Sequence, residues 1–250
     1  MTELITVTND TVEKHGFFCK MSARKTSAWK RKRAWLADRF DEGLQLRLLG
    51  DGERGFVEFI PAEFAWRGIE NAKGLVAIHC IWVVGKSRGQ GHAQLLLDEV
   101  ENWSRDNGFL GVTALTRSGN WLVDKKLLTP RGYLSVDQAD PNFDLVLKSF
   151  KKGPTPSIVG EATEKAKACG PGLTVFHSAQ CPYLEDAVSN AKDAADEAGI
   201  PFHAIEVTSA KQLRQSVPNP YGVFSIVHDG REIASHYLLK KQILPLLALS

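Results

Sequence analysis

Residues 77–105 constrain the chain most. Ala77-Ile78-His79-Cys80-Ile81-Trp82-Val83-Val84 is a short apolar run rich in β-branched residues, which predicts a buried strand. Gly85-Lys86-Ser87-Arg88-Gly89-Gln90-Gly91-His92 is glycine-rich and basic. Leu95, Leu96, Val100 and Trp103 then recur with helical spacing, and Asn107-Gly108 closes that helix. A strand that breaks at glycines and enters a helix aims free backbone N–H groups outward. The helix dipole adds partial positive charge at the same point, so the stretch predicts a pyrophosphate cradle. It is not the dinucleotide fingerprint, since no third glycine follows Gly91. Nor is it the phosphate loop of nucleotide hydrolases: Gly85-Lys86-Ser87 lacks the upstream glycine, and the helix starts later. The spacing present is Arg88-x-x-Gly91-x-Ala93, with Gly89 inside it.

The remaining bounds are loose. A chain of 250 residues suggests one large domain or two small ones, with an ordinary apolar content of 43%. The net charge of +2 favours neither nucleic acid nor membrane, and Lys30-Arg31-Lys32-Arg33 reads as a solvated helix face. No signal peptide or bilayer-length apolar run is visible. Cys19, Cys80, Cys169 and Cys181 have neither zinc nor disulfide-framework spacing, so a cytoplasmic location and no metal are expected.

In chain order, residues 4–8 open a sheet and Ser27 caps a helix over 28–41. Strands over 44–49 and 56–60 flank the Gly50-Asp51-Gly52 turn, and a loop over 61–71 carries Glu63, Trp66 and Arg67. After the central strand and helix come a strand over 112–116, a helical turn over 121–128 stopped by Pro130, and strands over 133–136 and 143–150. Residues 151–170 read as a linker, with a connecting helix over 157–167. A fresh pattern follows: strand 173–177, helix 181–198, strand 202–207, short helix 209–215, strands 222–227 and 232–237 across Asp229-Gly230, and a last helix.

The strand, the Arg88–Ala93 loop and the helix, in that order, resemble the acetyl-CoA signature of the Gcn5-related N-acetyltransferase superfamily. The resemblance covers residues 1–150. It implies an α+β fold, a mixed and mostly antiparallel sheet flanked by helices, with acetyl-CoA as cosubstrate. It implies that strand N–H groups of Ile81, Trp82 and Val83 hold the acetyl carbonyl and pantetheine. It further implies that amides of Arg88, Gly89, Gln90, Gly91, His92 and Ala93 hold the pyrophosphate, with Asn120 a further contact. The acceptor would be a primary amine of a small molecule or peptide, attacking directly in a ternary complex. Glu58 or Glu63 is the candidate general base, with Trp66 and Arg67 as substrate wall and anchor. The family's general-acid tyrosine is replaced by Leu128, which leaves Tyr133, Ser118 or water for that step.

The order of elements over 171–250 resembles the thioredoxin fold. Cys181-Pro182-Tyr183-Leu184 is similar to a glutaredoxin motif whose second cysteine is Leu184, and Pro218 or Pro220 falls where that fold keeps a cis-proline. The combination resembles the YoaP-type acetyltransferases, and a homodimer stays open. Two alternatives stay open: a non-catalytic acyl-CoA sensor, and a thiol oxidoreductase using Cys181.

Overall fold

A computed structural model describes residues 2–119 and 121–248. The chain divides into two compact units. The first holds residues 1–24, 33–65 and 69–158; the second holds 25–32, 66–68 and 159–250.

The first unit is a seven-stranded sheet. In chain order its elements are β1 (Leu4–Val7), α1 (Val12–His15), α2 (Ser27–Asp41), β2 (Gln45–Leu49), β3 (Gly55–Pro61), β4 (Ile69–Glu70) and β5 (Val76–Val83). They continue with α3 (His92–Asp106), β6 (Gly111–Thr116), α4 (Lys125–Leu128), β7 (Leu134–Ala139), β8 (Phe143–Ser149) and β9 (Ser157–Ile158). The first turns of α2, through Lys32, group with the second unit. The sheet order is β1-β2-β3-β5-β6-β8-β7. Every neighbouring pair is antiparallel except β5 and β6. A parallel pair needs a long crossover, which α3 supplies.

The hairpin between β2 and β3 turns where Asp51 and Gly52 both take positive φ, 54° and 75°. That conformation matches the twist of the flanking strands. The fully buried Leu96, Leu97 and Val100 of α3 pack on Val57, Phe59, Val76, Ile78, Val112 and Ala114. Ion pairs fix α3 to its neighbours. Arg47 reaches Glu99 at 2.8 Å, while the buried Glu101 takes Arg131 at 2.9 Å and Lys148 at 2.5 Å. Such buried pairs set position more than they add net stability.

Two irregularities matter for function. In the β3–β5 ladder Glu58 faces Cys80 and Phe59 faces Ile78, so His79 is an extra residue forming a bulge. The β5–β6 ladder runs only from Val76↔Val112 to Ile78↔Ala114. Beyond Ile78 the two strands no longer pair, and β5 keeps one open edge as far as Val83.

Several boundaries differ from the sequence reading. The helical turn expected over 121–128 is only α4, whose cap is Asp124 accepting from the Lys126 N–H at 2.9 Å. Residues 157–158, expected to open a helix, instead pair with β4 as β9.

The second unit contains α5 (Ala162–Lys167), β10 (Leu173–Ser178), α6 (Glu185–Ala198), β11 (Phe202–Val207), α7 (Ala210–Ser216), β12 (Phe224–His228), β13 (Arg231–Ala234) and α8 (Lys240–Leu247). Its sheet order is β11-β10-β12-β13. The β10–β11 pair is parallel and the other two are antiparallel. The small residues Ala187, Ala191, Ala194 and Ala195 form the buried stripe of α6. That helix begins at Glu185, not at Cys181, so the cysteine lies in the turn before it. The cis peptide among the described residues is Asp140–Pro141, so Pro218 and Pro220 are both trans. No helix among the described residues is long and apolar enough to cross a membrane.

Candidate active site

The open edge of β5 borders a cleft of about 490 Å³ in the first unit. One side is Ile81, Trp82 and Val83, the floor is 87–89 and 91–94, and the far side is Leu122, Val123, Asp124 and Leu127.

The strand supplies two of the three expected donors. The Val84 N–H donates to the Arg54 carbonyl at 3.0 Å, which makes 54 and 84 a hydrogen-bonded pair. Hydrogen-bonded and non-hydrogen-bonded pairs alternate along an antiparallel ladder. With Gly55↔Val83, Phe56↔Trp82 and Val57↔Ile81 in register, the Trp82 N–H turns into the ladder with β3. The N–H groups of Ile81 and Val83 turn the other way, to the edge that β6 has left. Trp82 is thus corrected from backbone donor to ladder residue.

The loop supplies five more donors. The Arg88 N–H is committed to the Gly85 carbonyl at 3.2 Å, so it is not among them. The first bonded amide of α3 is Gln94, which donates to Gly91. Between these two, the N–H groups of Gly89, Gln90, Gly91, His92 and Ala93 have no acceptor among the described residues. Gly89 and Gly91 hold φ of 76° and 81°, and a Cβ at either would meet nothing within 4 Å. The space on that side is open, which is what an approaching phosphate needs.

Side chains brace the loop from behind. Gln90 Nε2 donates to the Lys86 carbonyl at 2.6 Å, and the buried Ser87 hydroxyl accepts from the Arg54 N–H at 2.8 Å. The His92 ring turns to Glu53, with Nε2 3.3 Å from the carboxylate. Ser87, followed by His92 and Lys86, holds the Glu53 carboxyl below its ordinary range, against a partial desolvation. The Arg88 side chain is exposed and makes no ion pair among the described residues, so its charge remains available to a ligand.

The other expected residues separate. Glu58 and His79 are both buried, and His79 Nδ1 lies 3.2 Å from Glu58 Oε1. They stand on the face of the sheet away from α3, where the Trp35 ring is 6.1 Å from that of His79. Glu63 lies on a short turn beyond Pro61, at the end of β3 remote from the cleft, and is no base for it. Tyr133 is fully buried among the residues packed under α3, and its hydroxyl has no hydrogen-bond partner among the described residues. Burial, then the Glu101 charge, keeps the phenol proton on well above the usual tyrosine range. Tyr133 is therefore a core residue and not a proton donor to the cleft. Tyr133→Phe should leave kcat unchanged and the urea midpoint no lower than wild type; a fall in kcat beyond about tenfold would return it to the reaction.

Trp66 and Arg67 are each 2% exposed and belong to the second unit. Arg67 Nη1 donates to the Trp66 carbonyl at 2.6 Å and to Gln180 at 3.0 Å, and its guanidinium lies over Tyr221. Both are structural, not a substrate wall and anchor. Asn120 lies outside the described residues. The far wall of the cleft was missed from sequence; Asp124 ahead of Lys125-Lys126-Leu127-Leu128 was the available capping signal. Among the described residues no cluster of His, Cys, Asp and Glu is placed to hold a metal, and no two cysteines form a disulfide.

Residues 13–120 match the Acetyltransferase (GNAT) family model. Over these residues the chain is similar to that family. The chain is accordingly an acetyl-CoA-dependent acyltransferase. It is 29% identical over 231 residues to "Uncharacterized N-acetyltransferase YoaP" of Bacillus subtilis, covering 91% of each chain. Among solved structures it is similar to a ribosomal-protein-alanine N-acetyltransferase from Brucella melitensis, with 17% identity, TM-score 0.42, 59% of this chain and 99% of that one. It is also similar to the putative acetyltransferase yncA from Salmonella typhimurium, described with its cofactor acetyl-CoA. That match has 14% identity and TM-score 0.44, and covers 61% of this chain and 95% of that one. The family match begins in α1 and ends just before the far wall of the cleft.

Proposed function

We propose that this GNAT-family enzyme moves an acetyl group from acetyl-CoA to a primary amine by direct attack in a ternary complex. The observation that carries the reading is the run of five unbonded amides, Gly89 to Ala93, set in one cleft with the open N–H groups of Ile81 and Val83. The first set suits a pyrophosphate at the dipole-positive end of α3. The second suits a thioester carbonyl, and donors aimed at a developing oxyanion typically lower a barrier by about 3 kcal/mol each. The exposed Arg88 guanidinium adds charge at the phosphate end.

Glu58, oriented by His79, takes the proton from the amine. Its rung, Glu58↔Cys80, is next to Val57↔Ile81, so the carboxylate is one residue along the strand from a carbonyl donor. A single bridging water covers the remaining reach. The attacking nitrogen forms the new C–N bond, the tetrahedral centre collapses, and the C–S bond breaks. The thiolate of CoA is a stable leaving group and is protonated by solvent, since Tyr133 is buried.

The second unit is a thioredoxin-like module. Its order β11-β10-β12-β13, with only the first pair parallel, supports that assignment. Leu184 replaces a resolving thiol and is buried, and burial raises the Cys169 thiol above its ordinary range, so a binding role fits the module better than a redox one.

Initial rates of thiol release, with acetyl-CoA and an amine both varied, test the transfer. Intersecting double-reciprocal lines are expected. Parallel lines would mean an acetyl-enzyme intermediate and would end the direct-attack reading, and thiol release independent of amine would end the transferase reading.

A further inference from the structure

Beside the cleft, on the face of the sheet away from α3, β5 carries an aromatic surface built on Trp82, which also lines the cleft. Side chains alternate along a strand, so Trp82 stands on the other face from Ile81 and Val83, which pack under α3. Trp82 is 48% exposed, and its cross-strand partner is the buried Phe56. Phe18, from the loop after α1, completes the surface. Its ring stacks on Phe56 with centroids 4.9 Å apart and meets Trp82 edge-on at 5.9 Å. Phe18 holds φ at 76°, a left-handed conformation that a residue with a bulky side chain keeps only where its surroundings hold it.

The position of this surface relative to the reacting groups decides its use. On the same face, the next rung inward is Glu58↔Cys80, roughly 7 Å along the strand from Phe56↔Trp82. His79 stands beside that rung. A molecule resting on the indole can therefore point one end at Glu58 and at the thioester site between Ile81 and Val83.

We propose that Trp82, Phe18 and Phe56 form the acceptor subsite, and that the acceptor is a primary amine on an apolar body, aryl or alkyl, in place of a hydroxylated or charged one. The assignment rests on the acetyl-transfer reading above. Three physical terms support it. An apolar body removes the exposed indole face from water. The same face attracts the ammonium form before its proton is lost. A polyhydroxylated amine would lose hydration against rings that return no hydrogen bond.

Benzylamine and ethanolamine, two primary amines of similar basicity, are the probes. With saturating acetyl-CoA, wild type should favour benzylamine in kcat/KM by about 30-fold, the order expected from burying a ring-sized apolar body. In Phe18→Ala and Trp82→Ala the ratio should fall to within about threefold of unity, through a rise in KM for benzylamine. Phe18→Leu and Trp82→Leu keep apolar volume and guard against unfolding; each should give an intermediate ratio. A wild-type ratio near or below unity, no turnover of benzylamine, or a ratio unchanged in all four variants overturns the assignment. Calorimetric titration of the wild type with acetyl-CoA separates the levels. Binding without discrimination between the amines removes only the acceptor subsite. Absence of binding removes the underlying reading as well.

Discussion

Gly91→Glu should lower acetyl-CoA affinity by about a thousandfold, the equivalent of roughly 4 kcal/mol. Two effects combine. Gly91 holds φ at 81°, where an L-residue costs about 1–2 kcal/mol, and the helix start is distorted if it relaxes. The larger effect is charge. A Cβ at Gly91 meets no atom within 4 Å, so the new carboxylate extends into the open side, beside the five unbonded amides. It would satisfy those donors itself and repel the phosphates they are placed to hold. Gly108→Glu is the control. Gly108 has nearly the same φ, 80°, and equally open surroundings, but it lies past the other end of α3. It should show the same backbone penalty in a melt and bind acetyl-CoA normally. Equal affinities for acetyl-CoA in wild type and Gly91→Glu would remove the cradle, and the enzymatic reading with it.

What the sequence disclosed of this site, and what it hid, follows from the range of the interactions involved. The strand, glycine loop and helix over 77–107 were legible because each signal is local: β-branched run, positive-φ glycines, helical spacing. Choosing among the donors was not. Whether Ile81 or Trp82 points its N–H to the cleft depends on the parity of the β3–β5 ladder and on β6 leaving at Ile78. Both are pairings between distant residues, and one extra residue at His79 alters the face assignments on its two sides. The commitment of the Arg88 amide was hidden for a similar reason, since a local turn to Gly85 consumes it. Trp66 and Arg67 looked like a binding loop because an aromatic beside a cation in a polar stretch usually is exposed. Here the guanidinium is buried, with Nη1 bonded to Gln180 and to a carbonyl. Tyr133 matched a motif position, yet the core residues under α3 enclose it. The far wall, 122–127, had no apolar periodicity to mark it.

Glu58→Gln should lower kcat by 10²- to 10⁴-fold, the usual range for removing a positioned general base, while the dissociation constant for acetyl-CoA is unchanged. Glutamine keeps the volume and can still meet His79 Nδ1, so the change isolates the carboxylate's capacity to take a proton from its packing. The site makes that separation feasible. Glu58 lies on the face away from α3, whereas the strand edge and loop that would hold the cofactor line the cleft through 81–83, 87–89 and 91–94, and Glu58 does not line it. His79→Gln should show a smaller loss in kcat, because His79 orients the base and does not itself touch the amine. A variant Glu58→Gln that kept wild-type kcat would show that the buried pair only fills the core. The proton would then leave through solvent, and the bulge at His79 would serve only to part β5 from β6.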